Sequence, residues 1–200
     1  MISFVYFDVG GVTIKDFSAT DNWERLKHED LQLTDQTTPI FDQFWQEYGE
    51  RVGIDVDVDE LVSKLPLPVG FSILDQFIKR FEQNQLIWPV IQSVKDKYHV
   101  GLLTDMYPRM LDAIKAAGLL PPIEWDVVID SSIEKVKKPN PEVYALAEER
   151  AGVVPQEILF IDNVQKNLNA AESRGWQTFW YDSSDYEKSS KSLMDMLSKL

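Results

Sequence analysis

Ile2-Ser3-Phe4-Val5-Tyr6-Phe7 is an apolar run that stops at Asp8, with Gly10 and Gly11 just beyond. A run this short, rich in β-branched and aromatic residues and bounded by turn formers, predicts a strand buried on both faces. Such burial is typical of a parallel sheet. From Ile14 to about Ile87 the spacing changes. Phe41, Phe44, Trp45 and Tyr48 recur at helical intervals, as do Phe71, Leu74, Phe77, Ile78 and Phe81. This predicts amphipathic helices, with starts at Asn22, Thr38 and Asp59 and a break over Leu65-Pro66-Leu67-Pro68-Val69-Gly70. Residues 15–87 therefore read as a mainly helical insertion after the first strand. Its aromatic stripes are expected to form its own core and its contact with the rest of the chain.

After Trp88-Pro89 strands and helices alternate. The pattern predicts a helix over 90–97 opened by Pro89, then a strand over 99–104. A helix over 108–117, stopped by Gly118, precedes a strand over 125–130. Asn140 and Pro141 cap and open a helix to Ala151. A strand over 157–161 ends at Asp162, a helix over 164–174 ends at Gly175, a strand covers 176–181, and a helix over 184–200 closes the chain. This alternation predicts an α/β fold with a doubly wound, parallel, five-stranded sheet of Rossmann-like type. Residues 1–14 and 88–200 would form that core and 15–87 the insertion.

Two hundred residues suit one domain, or one domain carrying an insertion. No run approaches the ~20 apolar residues of a membrane span. The first residues lack the basic start and cleavage site of a signal peptide, and there are no cysteines. These features predict a cytoplasmic protein without thiolate chemistry. The 20 basic and 33 acidic residues give a net charge of −13, which disfavours nucleic acid as a partner. A phosphorylated substrate would need a local positive source against that field. His28 and His99 are too few and too far apart to suggest zinc.

Candidate chemistry gathers at the predicted strand ends, where open α/β sheets bind ligands. Asp8, Thr104-Asp105 and Asp162-Asn163 end three strands. The loop Lys135-Val136-Lys137-Lys138-Pro139-Asn140-Pro141 follows another, and Lys135 and Lys137 read as its solvated members. A carboxylate, a hydroxyl, a lysine and a second acid suit phosphoryl transfer. Asp8 is ionised at neutral pH and attacks without a base. Thr104 and Lys138 would hold non-bridging oxygens. A divalent cation would relieve repulsion between Asp8 and an anionic substrate.

In this order the motifs resemble those of the haloacid dehalogenase-like hydrolases. Phe7-Asp8-Val9-Gly10-Gly11-Val12 is similar to the first motif, whose leading aspartate is the nucleophile. Leu102-Leu103-Thr104-Asp105 is similar to the second, which carries the phosphate-binding threonine. Lys138-Pro139-Asn140-Pro141-Glu142-Val143-Tyr144 resembles the third, with the lysine. Phe160-Ile161-Asp162-Asn163 through Asn167, Ala170-Ala171 and Gly175 resembles the acidic, metal-binding fourth. The resemblance implies sheet order 5-4-1-2-3, a helical cap over 15–87 and Mg2+ held by Asp8, Gly10 (through its carbonyl), Asp162 and Asn163. It implies a phosphate site formed by Gly10, Gly11, Thr104, Asp105 and Lys138. Two positions depart from the pattern. Gly10 stands where phosphatases of the family usually carry an acid/base aspartate, a loss worth about 10²–10⁴-fold. Asn163 stands at the usual main metal aspartate, and Asn167 at the acidic residue following it.

The first reading is a Mg2+-dependent phosphatase of small phosphorylated metabolites, working through an aspartyl-phosphate on Asp8. Asp105, another carboxylate or a substrate group would then replace the missing acid. The second is metal-independent dehalogenation, whose halide leaving group needs no proton. The third is a protein of the same fold that binds a ligand or partner without turnover.

Overall fold

The computed structural model describes residues 1–17 and 21–199. Strand β1 (Phe4–Phe7) is buried along its whole length. Helix α1 (Asn22–Arg25) runs into a π-helical turn over Leu26–Asp30. Helix α2 (Thr38–Val52), a 3-10 turn over Val58–Lys64 and α3 (Ile73–Arg80) complete the insertion. Then come α4 (Trp88–Lys95), β2 (His99–Thr104), α5 (Met110–Ala116), β3 (Val127–Asp130) and α6 (Ser131–Glu134). Helix α7 (Pro141–Ala151), β4 (Ile158–Asp162), α8 (Gln165–Ser173), β5 (Gln177–Trp180) and α9 (Tyr186–Leu197) follow.

Among the described residues the five strands form one parallel sheet in the order β3-β2-β1-β4-β5. This is the expected order, read from the opposite edge. Strand β1 is central, with Phe7 in register with Leu102 on one side and Ile161 on the other. Apolar side chains alternate between two cores, which is why β1 has no polar position. Phe4, Tyr6, Leu103 and Phe160 pack under α7 and α8 with Trp176. Val5, Phe7, Leu102 and Ile161 join a second cluster continuous with Phe41, Phe44 and Phe77 of the insertion. Gly101 is required where it stands. A Cβ there would lie 2.6 Å from the Tyr6 ring, and the Tyr6 hydroxyl, 2.8 Å from the Ala147 carbonyl, ties the sheet to α7.

The insertion leaves and returns through a paired neck. Ile14 bridges Gln83 in antiparallel fashion, and the Lys15 amide donates to the Glu82 carbonyl at 2.9 Å. Buried Asn84 donates from Nδ2 to the Val12 carbonyl at 2.7 Å and to the Tyr181 hydroxyl at 2.9 Å.

Asn22 and Thr38 open helices as expected, and Asp59 does not. It lies within the 3-10 turn capped by Asp57. Its Oδ1 accepts instead from the amides of Ile73 and Leu74 at 2.6 and 3.1 Å, fixing the start of α3 through space. Helix α5 begins at Met110 rather than Pro108 because Arg109 has φ of 69°, which α-helix does not admit. Its guanidinium binds Asp57 and Asp59 at 2.7–2.9 Å. Lys135 and Lys137, expected to be solvated, hold the carboxyl end of α2. Lys135 Nζ donates to the Ile54 carbonyl at 3.2 Å, and Lys137 Nζ donates to the Glu50 carbonyl at 3.0 Å and to its carboxylate. Cations complement the carbonyls exposed at a helix C-terminus. Ser131, in a helix the sequence did not suggest, donates to the Gly53 carbonyl beside them. No helix among the described residues is long and apolar enough to cross a membrane.

Candidate active site

A cavity of about 400 Å3 opens at the carboxyl end of β1, a size ordinary for small-molecule sites. Asp8, Gly10, Asp105, Lys138 and Asn163 form its polar floor. Asp8, Gly10, Asp105 and Asn163 follow the ends of three neighbouring parallel strands, and Lys138 joins them from the loop beyond α6.

Asp8 is positioned from both sides. Its amide donates to the Ile161 carbonyl at 2.9 Å. Its Oδ1 accepts from the Val9 amide at 2.8 Å and lies 2.9 Å from Lys138 Nζ. Asp8 Oδ2 accepts no hydrogen bond among the described residues. Lys138 Nζ also lies 2.8 Å from Asp162 Oδ2 and 5.4 Å from the centre of the Phe160 ring. Burial works against the ammonium, but Asp162, Asp8 and Asp105 outweigh it and hold its pKa above the usual lysine range. The Asp8 carboxyl is pushed upward by burial and by the charges of Asp162 and Asp105, against the downward pull of Lys138.

Asp105 lines the cavity, and its Oδ1 accepts from the Lys138 amide at 3.0 Å. Burial raises its pKa, with Lys138 opposing. Thr104 is buried, and its Oγ1 has no partner. Gly10 faces open space: a Cβ there would meet nothing within 4 Å. Gly11 has φ of 79°, and a Cβ there would fall 2.1 Å from Asn163 Nδ2. Glycine at 11 therefore lets the Asn163 side chain lie against the backbone. Asn163 Nδ2 reaches Asp16 Oδ2 at 3.4 Å, while its buried Oδ1 has no partner.

Asp162 is turned away from the cavity. Its Oδ1 accepts from the Val164 amide at 2.7 Å, and its Oδ2 accepts from Lys138 and from Asn167 Nδ2 at 3.1 Å. With both oxygens engaged in a fully buried site, it anchors Lys138. No group of three or more Asp, Glu, His or Cys among the described residues is placed to hold a metal. The motif oxygens at the cavity floor are those of the Asp8 carboxylate, the Gly10 carbonyl and the orphaned Oδ1 of Asn163. An all-oxygen set with one carboxylate fits Mg2+, which keeps water and uses substrate oxygens to complete its shell.

The wall facing the insertion is apolar. Trp23, Phe77 and Phe81 come from α1 and α3, and Met106, Tyr107 and Met110 from the segment after β2. The sequence displayed Phe77 and Phe81 as a helical i, i+4 pair but did not mark them as lining. Tyr107, two residues after Asp105, carried no signal beyond its proximity. Asp16 was likewise missed; its amide donates to the Tyr186 hydroxyl at 2.7 Å.

Residues 2–173 match the family model described as haloacid dehalogenase-like hydrolase. An (S)-2-haloacid dehalogenase from Xanthobacter autotrophicus is 38% identical over 77 residues, 38% of this chain and 30% of that protein. A solved structure described as a predicted HAD-like family hydrolase from Porphyromonas gingivalis superposes with a TM-score of 0.73 at 21% identity, covering 98% of each chain. A HAD family enzyme from Bacteroides thetaiotaomicron, in complex with magnesium and inorganic phosphate, superposes with a TM-score of 0.64 at 20% identity, over 92% of this chain and 96% of that one. The matches span less than a third of the length of the curated relatives.

Proposed function

Because the chain belongs to the haloacid dehalogenase-like hydrolases, we propose that it hydrolyses small phosphate monoesters through an aspartyl-phosphate on Asp8. The carrying observation is the state of the Asp8 carboxylate. One oxygen is fixed by Lys138 and the Val9 amide, and the other accepts no hydrogen bond among the described residues at the cavity floor. A carboxylate so oriented is a positioned nucleophile.

Asp8 Oδ2 attacks phosphorus, the bond from phosphorus to the leaving oxygen breaks, and its electron pair goes to that oxygen. Asp105, which lines the cavity, gives the proton, Gly10 having none to give. Water then attacks the phosphorus of the aspartyl ester, returns a proton to Asp105 and frees Asp8 and phosphate. The Thr104 hydroxyl and the Lys138 ammonium stabilise the non-bridging oxygens. Asp8, Gly10 and Asn163 would hold Mg2+, as the magnesium and phosphate complex of the Bacteroides enzyme suggests; when bound, it supplies positive charge against the acidic floor. Gly11 brings Asn163 close, Asp162 anchors Lys138, and residues 15–87 act as the cap that covers the substrate.

One observation favours a second reading, hydrolysis of a carbon–halogen bond by the same Asp8. The position of the missing acid is open space at Gly10, and halide leaves without a proton. The 38% identity to the Xanthobacter dehalogenase over 77 residues points the same way.

The test is a panel of phosphate esters and 2-haloacids, with Mg2+ or with chelator, on the wild type and Asp8→Asn. Mg2+-dependent phosphate release that disappears in Asp8→Asn is the expected result. Halide release insensitive to chelator would select the second reading. Turnover retained by Asp8→Asn would sink both.

A further inference from the structure

The cavity divides sharply by polarity. Its polar groups sit at the strand ends, around Asp8. Away from them, the surface that the rest of a substrate would touch is built from rings. Phe17 lies 4.9 Å from Phe77 and 5.4 Å from Phe81, Trp23 lies 6.0 Å from Phe77, and Phe77 lies 5.6 Å from Tyr107, all between centroids. These rings pack mutually at tilted or edge-on angles, so they hold a fixed wall rather than adapting to a guest.

The charges near this wall are acidic. Asp16 and Asp105 line the cavity. Among the described residues Lys138 is the single lysine of the lining, already clasped by Asp8 and Asp162 at 2.9 and 2.8 Å, and no arginine lines it. A second anionic group on a substrate would therefore meet carboxylates without a cation to balance it. A body carrying several hydroxyls would lose water against the Phe17, Phe77 and Phe81 rings, which offer no partner, at about tenfold in binding for each unpaired hydroxyl.

From this division we infer that the substrate's non-reacting part is an uncharged apolar body of aryl or alkyl type, not a sugar and not a second acid. The inference deepens the hydrolase reading and rests on it only for turnover, because binding of the body alone is measurable without any reaction.

Two probes separate these parts on the full-length protein. Binding of 2-naphthol is followed by calorimetry, and turnover of 2-naphthyl phosphate is compared with that of glucose 6-phosphate. The wild type should bind naphthol at one site and prefer the naphthyl ester by about 100-fold or more in kcat/KM, the equivalent of two or more unpaired hydroxyls. Phe81 ends α3 and is only partly buried, so Phe81→Ser should fold. It should weaken naphthol binding by about tenfold and shrink the preference, while Phe81→Leu keeps most of both. Should Phe81→Ser melt early, naphthol against glucose on the wild type still decides. Naphthol binding with no turnover of either ester would sink the phosphatase reading and leave this inference standing. Comparable turnover of both esters, or no naphthol binding, would overturn the inference and leave the hydrolase reading intact.

Discussion

Replacing Lys138 by Met removes the one positive charge among buried acids. Its side chain is about 1% exposed and lies within 2.9 Å of both Asp8 and Asp162. Met fills a similar volume, so the loss is electrostatic. Deleting one partner of a buried ion pair costs about 3–5 kcal/mol. Proton uptake sets a ceiling on that cost. The cluster replaces the lost positive charge by protonating one more carboxyl, which at pH 7 against an ordinary aspartate pKa near 4 costs roughly 4 kcal/mol. Lys138→Met should therefore be less stable by about 3–4 kcal/mol at pH 7, or some 6–16 °C in melting temperature for a chain of this size. The sign with pH follows from the extra proton. A carboxyl whose folded pKa is raised stabilises the fold below its unfolded pKa, and that contribution is lost as pH rises. The deficit should thus shrink by about 1.4 kcal/mol for each unit between pH 7 and pH 5. Urea denaturation of chelator-treated wild type and variant at pH 5, 6 and 7 measures it. A deficit under about 1 kcal/mol at pH 7, or one that grows as pH falls, would refute the charge account.

Thr104→Val should leave stability unchanged or raise it by about 1 kcal/mol, since the buried Oγ1 has no partner to lose; if the hydroxyl serves the substrate, turnover falls in the same variant, and a loss of stability instead would mark it as structural. Asn84→Ala removes two buried hydrogen bonds at the neck and should cost about 2–4 kcal/mol in urea denaturation, towards the lower end because the unpaired Oδ1 of Asn84 goes with it. The Arg174 side chain, which donates two hydrogen bonds to Glu148, holds its carboxyl below the usual range. The wild type should therefore lose stability as pH falls below the ordinary glutamate pKa in a thermal melt series, and Glu148→Gln should lose less over that interval; parallel curves would refute it.

The strands were legible because β1, β2 and β4 sit between neighbours on both faces, leaving polar residues only at strand ends, at His99, Thr104 and Asp162. The strand-end residues were legible for the same reason, since a parallel sheet delivers Asp8, Asp105 and Asn163 to one edge. What the sequence hid depends on which faces meet. Helical spacing marked Phe77 and Phe81 as apolar but could not say that they line a cavity with Tyr107. Asp59 looked like a local cap, and its true partners lie at Ile73 and Leu74, beyond a turn. Lys135 and Lys137 looked solvated because the carbonyls they bind, of Ile54 and Glu50, lie at and just past the end of α2, far back in the chain. Asp162 and Lys138 are apart in sequence, so the mutual engagement that turns Asp162 from the cavity was invisible.

The paired neck bears on how such a chain is inherited. Ile14 and Gln83 lie side by side, so the intervening segment begins and ends at one point on the core. A cassette with those ends can be exchanged for another of different length without moving β1 or β2. Packing sets the condition on the exchange. The apolar cluster runs unbroken from Val5 and Phe7 into Phe41, Phe44 and Phe77, so an incoming cassette must cover the same seam. Diversification at this neck would thus alter what is admitted above Asp8 while the apparatus beneath it descends unchanged.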